Sequence, residues 1–292
     1  MSAIFPVCII GVGNMGGAMA ARLGQLGWAP AVHDIVRSRA ESLMLFGALA
    51  TEDIAQAAIE SVATIICVVD AAQTRDVLFG PQGIAPGLLP GHIVILCPTI
   101  SPADVEAIAS ELGQRGVETV EAPMSGGPVR ARDGSMSLMV ACTDAVFARC
   151  QPLLDALSSK VFRISQRVGD GARTKLVNNL LAGINLVGAA EVMALADRMG
   201  LDLNTTLDVI EQSSGQSWIG SDRMRRAIAG DLAPRAHMTL LAKDTGLAIG
   251  AAQSVGFTGP LGEAASQVFA QAVRAGLAEL DDGALLGFLR RP

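Results

Sequence analysis

The sequence has no tyrosine, three histidines and five cysteines among its 292 residues. Because tyrosine is absent, no phenol hydroxyl is available as a catalytic acid or base. The cysteines are odd in number and no two have Cys-x-x-Cys spacing, so the pattern indicates neither a disulfide framework nor a zinc site. We therefore predict no bound metal and a reducing, cytoplasmic location.

Positive charge is also scarce. The formal net charge is -6 at pH 7 and no extended basic run occurs, which argues against binding to nucleic acid. An anionic ligand would need a local cluster of groups to capture it. The N-terminal residues lack the basic segment of a secretion signal. The longest apolar stretch, 180–196, contains Asn185 and Glu191, which favours a buried helix over a membrane span.

Glycines, by contrast, are abundant, and several follow the first apolar run. Residues 4–10 are apolar and β-branched, as in a buried strand, and the chain continues GVGNMGGAMA. In this G-x-G-x-x-G pattern one glycine allows a tight turn, one lets the backbone approach a pyrophosphate, and one packs the following helix against the strand. The helix N–H groups then bind phosphate. We predict a dinucleotide site at six consecutive residues: Gly11, Val12, Gly13, Asn14, Met15 and Gly16.

An acid stands at the end of the second predicted strand. Asp34 follows the glycines by about twenty residues, the spacing at which a carboxylate binds the adenosine ribose hydroxyls. That charge repels a 2′-phosphate, so we predict NAD in preference to NADP. Arg37 and Arg39 follow closely, and they either soften this preference or merely solvate the next helix.

Polar residues also follow two later strands. Val69 and Asp70 end the apolar run 63–69, and Thr99 follows the run 93–96. Strand carboxyl ends bind ligands in open α/β sheets, so these three residues are candidates for the nicotinamide side. For Asp70 and Thr99, capping of a helix is an equally good interpretation.

A further turn, PMSGGP, contains Ser125, Gly126 and Gly127. Successive N–H groups in such a turn can form an anion-binding concavity, and a carboxylate could bind there beside the serine hydroxyl. The alternative is a plain turn between two elements.

The alternation of strands and helices ends near residue 167, and only helical patterns follow. The predicted fold is α/β, with a Rossmann-type N-terminal domain at 1–167 and an all-α C-terminal domain at 168–292, joined by a long helix that begins near Gly171. This helix carries Lys175 and Asn179, which are four residues apart and therefore share a face. A lysine half-buried among apolar residues has a lowered pKa and can exchange protons near neutrality. A solvated lysine is the competing interpretation, and Lys243, followed by Asp244, is either a second site lysine or part of a surface ion pair.

Elimination also points to Lys175, because a reaction with a nicotinamide dinucleotide needs a group that moves the substrate's hydroxyl proton. His33 lies within the second strand and His92 precedes another strand. His237 has no acid beside it in the sequence.

Four segments in this order, GVGNMGGAMA, EAPMSGGPVRARDG, GARTKLVNN and AKD, resemble the β-hydroxyacid dehydrogenase family over essentially the whole chain. The resemblance implies that Lys175 is the catalytic acid/base, that Asn179 holds the substrate, and that Ser125, Gly126 and Gly127 bind its carboxylate. It also implies that Thr99 and Lys243 contact the cofactor near the nicotinamide ribose, with Lys243 also able to meet substrate.

The resemblance also bears on the oligomeric state, the substrates and the alternative functions. The helical domain of this family forms the dimer contact, so we expect a homodimer or homotetramer. Substrates would be small hydroxy acids such as 3-hydroxyisobutyrate, threonate or glycerate. Pro98 and Cys142 depart from residues common in the family, which leaves the individual acid open. An imine reductase, whose members usually replace the lysine, and a non-catalytic dinucleotide sensor or scaffold remain as alternatives.

Overall fold

The computed structural model describes residues 4–290. The chain divides into two compact units, one ending at Lys175 and the other beginning at Leu176. By these contacts the first residues of the long helix, up to Lys175, belong to the first unit. The domain limits 1–167 and 168–292 remain a prediction from the sequence.

Strands lie in the first unit, and the described residues place nine of them in one sheet. Their bounds are β1 Val7–Ile10, β2 Ala31–His33, β3 Leu49–Ala50, β4 Ala63–Ile66, β5 Ile93–Leu96, β6 Glu118–Glu121, β7 Met124–Ser125, β8 Ser137–Ala141 and β9 Lys160–Ser165.

The strand order is β3-β2-β1-β4-β5-β6-β8-β7, with β9 paired to β8. The strands from β3 to β6 in this order are parallel. β8 is antiparallel to β6 and β7, and β9 is parallel to β8. The order 3-2-1-4-5-6 is that of dinucleotide-binding folds, and it reverses between β1 and β4, where a crevice opens at the carboxyl ends of the strands. The predicted Rossmann-type architecture is confirmed.

Helices cover both faces of this sheet. They are α1 Asn14–Gln25, α2 Arg37–Ser42, α3 Ile54–Ile59, α4 Ala71–Phe79, α5 Pro102–Gly113, α6 Gly127–Asp133 and α7 Asp144–Leu157. Val7 and Ile9 of β1 belong to one hydrophobic core, and Cys8 and Ile10 belong to the other. Burial on both faces explains why strands such as β1 and β5 are continuously apolar in sequence.

The second unit is helical. The long helix α8, Asp170–Arg198, is followed by α9 Leu203–Glu211, α10 Trp218–Ile228, α11 Met238–Ser254, α12 Pro260–Ala272 and α13 Leu285–Leu289. Within residues 176–290 the only β pairing is an isolated bridge between His237 and Asp281. Small residues allow close packing: a Cβ added to Gly183 of α8 would lie 2.7 Å from Thr245 Cγ2 of α11. The predicted all-helical second domain is confirmed.

By length and composition, α8 is the one helix among residues 4–290 that could cross a membrane. It carries two buried polar side chains, Lys175 and Asn179, and Asp170 in its first turn. Such a distribution is typical of a helix in a protein core, and the expected absence of a membrane partner stays a prediction.

The five cysteines are free. Burial raises the pKa of Cys8, Cys67 and Cys150 to about 12, so these thiols stay protonated at neutral pH. Among the described residues no group of three or more His, Cys, Asp or Glu side chains is arranged to hold a metal ion.

Candidate active site

Two glycines of the loop between β1 and α1, Gly11 and Gly16, are so close to other backbone atoms that neither position has room for a side chain. Gly11 has a φ of +89° and donates its N–H to the carbonyl of His33 at 2.9 Å. A Cβ at Gly11 would lie 2.6 Å from the carbonyl oxygen of Cys67, and a Cβ at Gly16 would lie 2.0 Å from the carbonyl oxygen of Gly11. Gly11 and Gly16 therefore close the turn and bring α1 against β1.

Gly13 differs from the other two glycines, because a Cβ there would meet nothing within 4 Å. It is the N-cap of α1 and offers no side-chain acceptor to the helix, and the first turn, beginning Asn14 and Met15, has no acidic residue. The N-terminus of α1 thus has no side-chain cap, and Gly13 adjoins open space at the positive end of the helix. This cradle fits the pyrophosphate of a dinucleotide, which would approach over Gly13.

Asp34, at the end of β2, is 9% exposed. Its carboxylate accepts N–H groups from Val12 of the glycine loop and from Val36, both at 2.9 Å. Arg39 approaches the same carboxylate at 3.4 Å, whereas Arg37 forms its ion pairs with two glutamates. Asp34 therefore links the loop to β2, and a ribose that bound it would lie beside the phosphate cradle.

The residues at the ends of β4 and β5 have different environments. Val69 is 51% exposed. Asp70 is the N-cap of α4 and accepts the N–H of Gln73 at 2.8 Å, as its capping interpretation requires. Thr99 is partly buried three residues beyond β5.

The serine–glycine turn follows β6. Ser125 belongs to β7 and pairs with Ser137 of β8, while Gly126 and Gly127 have φ values of +125° and +74°. A Cβ at Gly126 would lie 2.9 Å from Cδ of Arg130, so this arginine packs directly over the turn. Two consecutive glycines with positive φ allow the tightly bent backbone that anion-binding turns use.

Lys175 is 7% exposed and lies one helical turn beyond Gly171 in α8. The start of this helix is bound by Glu121, the last residue of β6. The Glu121 carboxylate accepts N–H groups from Gly169 at 2.7 Å and Gly171 at 3.0 Å, and also from Ala172. Glu121 was not among the predicted site residues, because its strand reads ETVE, with an acid at each end, and gives no distinctive signal.

Burial raises the pKa of Glu121 to about 7, against the lowering effect of the three N–H donors. Its side chain is 1% exposed. A carboxylate so enclosed is tolerated because its oxygens are bound by the helix N-terminus.

In the second unit, Asn179 is 8% exposed and donates its amide to Oδ2 of Asp244 at 2.6 Å. Asn178 donates to Oδ1 of Asn179 at 3.0 Å. Lys243 Nζ lies 2.9 Å from the other Asp244 oxygen, a contact that meets the ion-pair distance without hydrogen-bond alignment. Asp244 thus joins Asn179 and Lys243, two of the predicted site residues, and sequence reasoning had considered it only as a surface partner of Lys243.

Two concavities on the surface were compared with the predicted site residues. One, of about 640 Å³ beside α4 and α5, contains none of the predicted site residues. The other, of about 330 Å³ in the second unit, is lined by Trp218, which is 48% exposed, and by three arginines.

Comparison with known proteins identifies the family. The family model described as the NAD binding domain of 6-phosphogluconate dehydrogenase matches residues 6–165. The model described as NAD-binding of NADP-dependent 3-hydroxyisobutyrate dehydrogenase matches residues 169–289. L-threonate dehydrogenase of Escherichia coli (strain K12) is 36% identical, over 97% of this chain and 94% of its own length. The chain belongs to the β-hydroxyacid dehydrogenase family.

Solved structures of similar proteins support the same family. The crystal structure of 3-hydroxyisobutyrate dehydrogenase from Salmonella typhimurium has a TM-score of 0.92 and 37% identity, covering 97% of this chain and 99% of that one. Psf3 in complex with NADP+ and 2-OPP has a TM-score of 0.90 and 28% identity, with the same coverage. This β-hydroxyacid dehydrogenase is therefore an oxidoreductase with an NAD(P)-binding domain, and the predicted family, fold and enzyme class are confirmed.

Proposed function

We propose that this β-hydroxyacid dehydrogenase transfers hydride between NAD and a small hydroxy acid, with Lys175 as the general acid/base. The observation that carries the proposal is the burial of Lys175, which is 7% exposed and stands four residues before Asn179 in α8. A buried amine can exchange a proton with a substrate hydroxyl that binds beside it.

The glycine loop supports the cofactor assignment. The N-terminal N–H groups of α1 would bind the pyrophosphate over Gly13, and Asp34 would accept the ribose hydroxyls. The buried carboxylate of Asp34 disfavours a 2′-phosphate, which is our reason for proposing NAD over NADP. Val69, Asp70 and Thr99, at the ends of β4 and β5, would line the nicotinamide side.

The substrate would be held by its carboxylate and its hydroxyl. Ser125, Gly126 and Gly127 would bind the carboxylate with hydroxyl and backbone N–H groups. Asn179 would hydrogen-bond the substrate, and Lys243 would contact cofactor and substrate. L-threonate, the substrate named for the E. coli relative, is the first acid to be considered.

When bound, the nicotinamide supplies the hydride acceptor in oxidation and the hydride donor in reduction. In oxidation, Lys175 takes the hydroxyl proton as the neighbouring carbon loses hydride. In reduction, the Lys175 ammonium returns that proton to the forming alkoxide. Asn179 keeps the hydroxyl oriented towards the amine in both directions.

We further propose a homo-oligomer formed through the helical unit, acting in the cytoplasm. One side of α8 exposes apolar residues at positions 177, 181, 192 and 195, and the exposed Met199 follows directly after the helix. Such a stripe on a soluble helix favours burial against another protein surface. A second copy of the chain fits, because interfaces between identical subunits are apolar at their centre.

The test is an assay of cofactor reduction with a panel of hydroxy acids, including L-threonate, 3-hydroxyisobutyrate and glycerate, run with NAD and NADP in parallel. We expect turnover with at least one acid and a higher kcat/KM with NAD. Binding of NAD without turnover of any acid would contradict the proposal and favour a dinucleotide sensor.

A further inference from the structure

We propose that Glu121 is a positioning residue, which fixes the first turn of α8 at the carboxyl end of β6 and thereby sets the place of the Lys175 amine. The inference rests on the proposed role of Lys175, and it concerns a residue to which the family motifs, as used above, gave no function.

Three N–H groups converge on this one side chain. They belong to Gly169, Gly171 and Ala172, and two of the distances are 2.7 and 3.0 Å. The first N–H groups of a helix have no partner within the helix, so Glu121 supplies acceptors that the start of α8 would otherwise lack. Lys175 follows Ala172 by three residues and Gly171 by four, so it projects from the same side of the helix as the bound amides.

The approach of helix to sheet is too close for a side chain. A Cβ at Gly171 would lie 2.8 Å from the carbonyl oxygen of Met139 in β8 and 2.9 Å from Cδ of Glu121. The absence of a side chain at Gly171 therefore lets the start of the helix lie directly against the Glu121 carboxylate and the backbone of β8. The carboxylate defines how far the helix axis stands from the edge of β6 and β8.

The same carboxylate lies next to the predicted substrate turn. Glu121 is the last residue of β6, between Leu96 of β5 and Ala141 of β8, and Ser125 follows it by four residues. One side chain thus ties the strand that leads to the serine–glycine turn to the helix that carries the lysine. A shift of about 1 Å between two such groups can reduce turnover a hundredfold.

The other charges near Glu121 are already paired. Asp170, in the first turn of α8, bonds Arg167 and Arg173, and Arg173 also bonds Glu106 of α5. None of these arginines forms a described ion pair with Glu121 among residues 4–290, and its described partners are the three N–H groups at the start of the helix. Neutralising Glu121 therefore removes the clamp without breaking an ion pair.

The first experiment compares Glu121→Gln with Glu118→Gln, an exposed acid at the other end of the same strand. Glutamine has the size of glutamate, but its NH2 group cannot accept an N–H. We expect kcat to fall tenfold to a hundredfold in Glu121→Gln, with a larger isotope effect on hydride transfer, and the NAD dissociation constant to stay within twofold. Glu118→Gln should retain wild-type kcat. A kcat within twofold of wild type in Glu121→Gln would overturn the proposal.

A second measurement does not depend on turnover. Competitive acetylation of the folded protein, read by mass spectrometry, reports the reactivity of Lys175 relative to the exposed Lys160 on β9. We expect the ratio to rise at least threefold in Glu121→Gln and to stay unchanged in Glu118→Gln. An unchanged ratio in Glu121→Gln would overturn the positioning role. If the wild-type protein oxidised no acid but the ratio rose, the proposed reaction would fail while the link from Glu121 to Lys175 stood.

Discussion

The amide nitrogen of Asn179 donates to Oδ2 of Asp244 at 2.6 Å, and both side chains are more than nine-tenths buried. A carboxylate accepts hydrogen bonds and does not donate them, so Asp244 fixes which end of the Asn179 amide faces it. The Asn179 side chain is thereby held in one orientation before any substrate arrives.

Replacing Asp244 by asparagine should lower kcat/KM for the hydroxy acid about tenfold or more. The variant exchanges a charge-assisted hydrogen bond, worth about 1.5–3 kcal/mol, for one that no longer orients the amide. Steady-state kinetics with varied acid at saturating NAD measures the effect. Asp208→Asn, at an exposed ion pair of α9, is the control. Equal kcat/KM for Asp244→Asn and wild type would argue against a role for this contact.

Lys175→Ala should lower kcat by roughly 10²–10⁴-fold, the usual contribution of a general acid/base, while NAD still binds. Lys160→Ala, on the exposed edge of β9, should leave kcat unchanged. Rates from stopped-flow absorbance and NAD affinity from fluorescence titration separate the two effects. Near-normal turnover in Lys175→Ala would end the proposed mechanism.

Gly13→Ala should weaken NAD binding, whereas Gly16→Ala should lower the stability of the fold. A methyl group at Gly13 enters open space, so the free energy of unfolding should change by less than about 0.5 kcal/mol while NAD affinity falls at least tenfold. A methyl group at Gly16 meets the carbonyl of Gly11, and such overpacking costs about 1–3 kcal/mol. Denaturant unfolding and NAD titration on both variants test this. Loss of stability in Gly13→Ala with normal affinity would contradict the assignment.

Asp34→Asn should reduce the preference for NAD over NADP at least tenfold, because the charge that repels a 2′-phosphate is removed. Arg39, 3.4 Å from Asp34, should support NADP use, so adding Arg39→Ala should reverse part of the gain. Arg37→Ala is the matched control, since Arg37 pairs with Glu41 and Glu52 instead. The ratio of kcat/KM values for the two cofactors is the readout, and an unchanged ratio in Asp34→Asn would contradict the prediction.

Glu121 should also leave a signature in the pH dependence of stability. Its pKa is about 7 in the folded state and about 4.5 when unfolded, so the folded protein binds more protons between these values. Stability from this group is therefore fully present below pH 4.5 and falls, by up to about 3 kcal/mol, as the pH rises to 7. Urea unfolding of wild type and Glu121→Gln from pH 4.5 to 8 should show the difference between them shrinking or reversing in this window. A difference in unfolding free energy between the two proteins that stays constant over this pH range would contradict the prediction.

The parts of the fold that could be predicted have strong local patterns. The glycine loop after β1 and the continuously apolar strands β4 and β5 specify a parallel sheet covered on both faces. The long helix that begins near Gly171 could also be predicted, because the stretch 180–196 is largely apolar. The two-residue strands β3 and β7 could not be predicted, since so short a segment has no periodicity. The turn at Gly126 and Gly127 proved to lead into the short helix α6.

The residues missed at the site share one property: their role depends on a partner distant in sequence. Glu121 binds amides about fifty residues later, and Asp244 binds Asn179 sixty-five residues earlier. Neither stands out in the sequence, since Glu121 ends the strand ETVE and Asp244 follows Lys243, and only the tertiary structure supplies the partner. The start of α10 at Trp218 has a local cause, because Ser217 caps the helix by accepting the N–H of Gly220.

The clamp between Glu121 and the first turn of α8 bears on how chimeric enzymes should be assembled. A chimera that exchanges the helical half of this protein for that of a relative is most simply joined at the end of β9, where the strand pattern stops. That junction would import the amides of Gly169, Gly171 and Ala172 from one parent and keep the carboxylate that binds them from the other. A junction after Lys175 keeps donor, acceptor and amine from the same parent, and is the one we expect to preserve turnover.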